Sequence, residues 1–121
     1  MGKQRRSLRL PLSIPVRVYG RTPNERSFRD NTVTTMVSAH GAAFPLASRV
    51  KRGQTILLVN SFTDEEQSCR VIYTRSIRRG KTLVAVEFVG EPEFHRDFWH
   101  VYSALSMPLP KHPPTSESRS A

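Results

Sequence analysis

The segment "RRSLR" at residues 5–9 places three arginines, Arg5, Arg6 and Arg9, within five positions. Guanidinium groups at that density suit a particular chemistry. Each planar fork donates two parallel hydrogen bonds to a phosphate or a guanine edge, and its face stacks on a flat ring. A second candidate is the turn Ser38-Ala39-His40-Gly41, in which a hydroxyl and a glycine bracket a reversal of the chain. Gly41 there supplies either a positive φ or a close backbone approach. Other chemistry finds no support. His40, His95, His100 and His112 lack metal-binding spacing, and there is no GxSxG elbow, P-loop or GxGxxG. Asp64, Glu65 and Glu66 read as a solvated hairpin turn. Cys69 alternates with Val71 and reads as a small buried hydrophobe. With no nucleophile, base and oxyanion donor in combination, the expectation is a protein that is not an enzyme and holds no metal or cofactor.

Charge narrows the partners. Lysine and arginine number 19 against 10 acidic residues, a net charge of +9, which favours phosphates, nucleic acid or acidic surfaces. The 121 residues suffice for one modest core. A single cysteine fits a reducing cytoplasm, and "LRLPLSIPVRV", broken by Pro and Arg, offers no membrane span. A cytoplasmic location is expected.

The elements that must position the arginines and the turn are strands. Leu12, Ile14, Val16 and Val18 alternate with Ser13, Pro15, Arg17 and Tyr19, the period of a strand with one buried face, and Pro15 argues for an edge or a bulge. Further strands are read in "FRDNTVTTMVSAHGAAFPL", "GQTILLVNS", "EEQSCRVIYTRS" and "KTLVAVEFVG", with the spacing of a small antiparallel barrel. One helix is expected near residues 93–105, where Phe94, Phe98, Tyr102 and Leu105 form a stripe suited to covering the barrel. The expected division is a flexible basic arm at 1–10, a barrel with its helix at 11–105, and a disordered Pro- and Ser-rich tail at 106–121.

The order of "RRSLR", "PVRV", the Ser-x-x-Gly turn, "GQTILL", "CRVIY" and "VAVEF" resembles a PilZ domain up to about Leu105. The resemblance implies an all-β fold, a small antiparallel six-stranded β-barrel with a short C-terminal helix. It also implies a receptor for the bacterial messenger cyclic di-GMP. The family's RxxxR motif carries over onto Arg5 and Arg9, and its [DN]xSxxG motif onto Ser38 and Gly41, with Arg6 beside them. RxxxR spacing also occurs at Arg17/Arg21 and Arg75/Arg79, so the weight lies in its position before the first strand. Where the family has Asp or Asn, this chain has Met36.

A thioether is a poor acceptor for guanine N–H groups, and an unpaired buried donor costs about 1–3 kcal/mol, or roughly ten- to a hundredfold in affinity. The implied function is therefore a cyclic di-GMP receptor or adaptor of weakened affinity, acting on a downstream protein through an arm that closes over the ligand. One alternative is a ligand-independent interaction module that uses a strand edge or the Phe94/Phe98/Trp99 segment. A third reading, nonspecific nucleic-acid binding, is disfavoured because "RVYGR", "VKRG" and "RSIRRG" scatter the charge with little aromatic interleaving.

Overall fold

The structure, a computed structural model, describes residues 9–90 and 97–100. Seven strands run β1 Pro15–Arg21, β2 Ser27–Val33, β3 Met36–Ser38, β4 Gly41–Leu46, β5 Thr55–Asn60, β6 Glu66–Arg78 and β7 Lys81–Phe88. They form one antiparallel sheet in the order β2-β1-β5-β6-β7-β4-β3. The three-residue β3 is the strand beyond the expected six.

Alternation in the sequence becomes alternation in burial. Val16 and Val18 of β1, Ala42, Phe44 and Leu46 of β4, Ile56 and Leu58 of β5, and Val84, Val86 and Phe88 of β7 all turn inward. Cys69 and Val71 of β6 complete that face, and burial pushes the Cys69 thiol up to about 12. Cys69 is therefore an un-ionised core side chain.

The sheet curls until its two ends meet. Thr32 Oγ1 on β2 donates to the Pro45 carbonyl on β4 at 2.7 Å, and Ser48 donates through N and Oγ to the Asp30 carboxylate at 3.0 and 3.1 Å. Between β2 and β3, buried Thr34 makes the corner. Its Oγ1 accepts from Ile14 N at 2.8 Å and donates to the Leu12 carbonyl at 2.7 Å. The following residue, Thr35, donates its N–H to Ala43 at 2.9 Å, so the chain has left the β1 ladder for β4. Those bonds divide the run "FRDNTVTTMVS" into two strands.

Pro15 corrects an expectation. β1 is not an edge strand, because it pairs with β2 and with β5. Pro15 is its first residue, outside the β5 ladder that begins at Val16↔Asn60, so its missing N–H breaks no rung there.

At the C-terminal end of the described chain, Asp97–His100 form a turn, not a helix. The remainder of the helix expected at 93–105, with Phe94, Tyr102 and Leu105, lies outside the described residues, as does the tail at 106–121. Phe98 and Trp99 are buried, with Phe98 edge-on to Phe88 at 5.4 Å between centroids and to Trp99 at 4.8 Å. The Asn60 side chain, itself buried, donates to the Phe98 carbonyl at 3.0 Å and pins the turn on β5. Phe98 and Trp99 are therefore core residues, which removes them from the exposed partner surface considered above.

Candidate functional site

β3 is short, but its neighbours fix it from three sides. Leu10 and Val37 exchange both backbone bonds, at 2.8 and 2.9 Å, so Leu10, the last residue of the expected arm, is already tied to β3. On the other side β3 pairs with β4 through Met36↔Ala43, Val37↔Ala42 and Ser38↔Gly41. From below, Trp99 Nε1 donates to the Ser38 carbonyl at 3.1 Å. Val37 points into the core, so Met36 and Ser38 share the opposite face.

That face carries a concavity of about 230 Å³ lined by Arg9, Met36, Ser38, Gly41, Ile72 and Glu87, among others. Three residues singled out in the sequence, Arg9, Ser38 and Gly41, thus meet in one place, and so does Met36. Arg5 and Arg6 lie outside the described residues. The Ser38 hydroxyl reaches the Gly41 carbonyl only at 3.5 Å, the weak limit of a hydrogen bond, so it remains open to a better acceptor or donor.

Gly41 has a specific reason to be glycine. A Cβ at that position would collide with the Val86 carbonyl oxygen of β7, a backbone atom that no rotamer change can move. Of the two roles expected for it, close approach is the one observed. Positive φ among the described glycines falls at Gly53, Gly80 and Gly90. The turn is further held to β7 by Phe88 N donating to the His40 carbonyl at 2.8 Å.

Glu87 was missed by the sequence reading. It follows Val86 in an alternating strand, so its outward direction was legible, but its pairing with Gly41 was not. The rung Ser38↔Gly41↔Glu87↔Arg70 spans four strands and puts a carboxylate in the concavity, with Arg70 Nη1 at 3.5 Å from it. The acidic hairpin read as solvated is exposed but partnered: Arg17 bonds Asp64 at 3.0 Å, and that bond raises the guanidinium further above its usual range. Glu65 lies 2.8 Å from His100 Nε2. Among the described residues, no group of three or more His, Cys, Asp or Glu is placed to hold a metal ion. None of their helices is long and apolar enough to cross a membrane.

A larger concavity, about 540 Å³, lies elsewhere, against Tyr19, Arg21, Lys51 and Gln54. Several of its polar groups already serve one another. Gln54 Nε2 donates to the Arg21 carbonyl at 2.6 Å, and Arg21 faces Glu25 at 3.5 Å. It includes none of the residues singled out for phosphate or guanine, so size does not make it the better candidate.

No family model matches the chain, and no curated protein matches it in sequence. Solved structures do match. The PilZ domain of CeSA from a cellulose-synthesizing bacterium aligns over 84% of this chain and 100% of its own, with 18% identity and a TM-score of 0.54. The chain has the PilZ fold. YcgR from Escherichia coli, solved in complex with c-di-GMP, aligns over 85% of this chain with 16% identity and a TM-score of 0.59. The inhibitor of motility MotI/DgrA of Bacillus subtilis aligns over 73% with 18% identity and a TM-score of 0.55. This chain spans 46% of the YcgR structure and 43% of the MotI/DgrA structure, so the PilZ fold is one part of each of those proteins.

Proposed function

We propose that this protein is a non-catalytic cytoplasmic receptor that binds cyclic di-GMP in the concavity on β3, β4 and β7 and passes the signal to a protein partner. One observation carries the reading: the Leu10–Val37 bridge brings Arg9 to the same concavity as Ser38 and Gly41. The YcgR structure with its c-di-GMP, and the shared fold, support the choice of ligand.

The concavity is smaller than the roughly 300–1,000 Å³ usual for drug-sized ligands, so it serves as one wall of the site. Arg5 and Arg6, four and three residues before Arg9, would supply the other wall by gripping phosphate or stacking on guanine. Ordering that segment on the ligand changes the surface shown to a partner, and this is how binding becomes a signal. Met36 lines the wall where the resemblance puts an Asp or Asn, and a thioether cannot satisfy guanine donors. Glu87, two strands from Ser38 at about 10 Å by strand spacing and held by Arg70, is the carboxylate on that wall.

Titration calorimetry with cyclic di-GMP tests the proposal. Wild type should bind weakly. Arg9→Ala should cost about 1.5–3 kcal/mol, and Met36→Asp should tighten binding roughly tenfold or more. If folded wild type and folded Met36→Asp are both silent at high ligand concentration, the ligand reading is wrong and the module acts on its partner without a nucleotide.

A further inference from the structure

The β6–β7 hairpin carries a second surface, at the end remote from Glu66. Its last rung is Arg78↔Lys81, its turn is Arg79-Gly80, and Gly80 takes a φ of 76°. Arg49, Arg78, Arg79 and Lys81 line a concavity of about 400 Å³ beside Ser76 and Thr82. Arg49 also lines the adjoining concavity with Arg26, so the basic surface is continuous across the two. None of these five cations has an ion-pair partner among the described residues. The segments 31–63 and 67–86 contain no Asp or Glu at all. Asp30, which is close in the fold to Ser48, accepts two bonds from that residue. With only Asp30 and the Arg21-paired Glu25 near by among the described residues, the five cations leave a local excess of positive charge that an anion outside the chain would offset.

The second observation is apolar. A register shift between Ser76 and Arg78 leaves Ile77 out of the ladder and 46% exposed, immediately before Arg78 and two residues after Arg75. A bulge of this kind re-aims a side chain, and here it leaves an isoleucine half-exposed on the strand that leads into a cationic turn. Polynucleotides would use the cations but have no use for Ile77, and the concavity holds no aromatic ring on which a base could stack. A bilayer with anionic head groups uses both: guanidinium and ammonium groups meet the phosphates while a short apolar side chain enters the head-group boundary.

From this combination we infer that the β6–β7 tip docks the protein onto anionic phospholipid surfaces, independently of the nucleotide site. The test is co-sedimentation of the full chain with phosphatidylcholine vesicles, with and without phosphatidylglycerol. Wild type should pellet only with the anionic vesicles. Arg78→Gln with Arg79→Gln should lower partitioning about thirtyfold, since each basic residue near the surface contributes about fivefold. Phe62→Glu with Ser68→Glu lowers the net charge by the same two units at the opposite end of β6, and it should have a much smaller effect. Ile77→Ser should weaken binding about tenfold and should do so equally at raised salt, where the arginine effect shrinks. These side chains are exposed, and an unchanged melting temperature in each variant confirms the fold. The inference is overturned if wild type does not pellet with anionic vesicles, if it pellets equally with neutral ones, if the two double variants behave alike, or if short duplex DNA at equal phosphate strips it from the vesicles.

Discussion

The concavity on β3, β4 and β7 and the tip of β6–β7 both offer arginine, yet they are built in opposite ways. At the first, one described arginine faces a wall fixed by backbone: Gly41 against the Val86 carbonyl, Leu10 bridged to Val37, and Trp99 bonded to Ser38. At the second, three cations of an exposed turn gather with Arg49 from the segment after β4, and the turn's glycine has open space around it. A wall of the first kind fits one ligand shape, because its atoms cannot move apart. A tip of the second kind attracts an anionic surface of any shape, because only charge and one apolar contact are asked of it. On the two proposals together, selectivity follows from packing, and density of charge alone does not supply it.

The sharpest way to break the comparison is to remove what packs the wall. Trp99→Ala deletes a buried ring in contact with Phe98 and should lower unfolding free energy by about 3–5 kcal/mol in a denaturant titration. Trp99→Phe keeps most of the ring and should cost about 0.5–1.5 kcal/mol from the lost bond to the Ser38 carbonyl. Neither change should alter the tip's relative preference for anionic over neutral vesicles in protein that remains folded.

The two glycines give a smaller and more discriminating contrast. Gly41→Ala overpacks β4 against β7 and should cost about 1–3 kcal/mol while also weakening cyclic di-GMP binding. Gly80→Ala meets no atom and pays only for a left-handed residue, about 1–2 kcal/mol, with nucleotide binding intact. Equal loss of ligand affinity in both would mean that the wall is not the site.

At neutral pH the smallest effect concerns the core beneath both regions, because it develops only in alkali. Cys69 stays a thiol in the fold up to about pH 12, whereas the unfolded chain ionises near its ordinary value of 9.0. Its contribution to stability is therefore complete below pH 9 and is lost progressively between 9 and 12. Cys69→Ala should flatten that part of the stability-against-pH curve. A thiol reagent at neutral pH should label wild type only at the rate of unfolding.

Much of this molecule was legible because two rules act locally. Period-two alternation in "SIPVRV" and "TLVAVEF" dictates which side chains are buried in any sheet those segments join, and the inward faces of β1 and β7 follow from it. The density of arginine before the first strand likewise offers the chemistry of an anion site whatever the fold. What alternation cannot state is which strand lies beside which. Pro15 looked like an edge residue because its missing N–H matters only relative to a neighbour, and the neighbour, β5, lies some forty positions away in the chain. Glu87 could be assigned an outward face but not a place across from Gly41 and Ser38, and Ile77 could be counted as a strand residue but not as one expelled by a bulge. Sequence determined the chemistry available on each face, since that depends on residue type and the pleat. Tertiary structure decided which residues share a site, because long-range register is set by the closure of the whole sheet around one core.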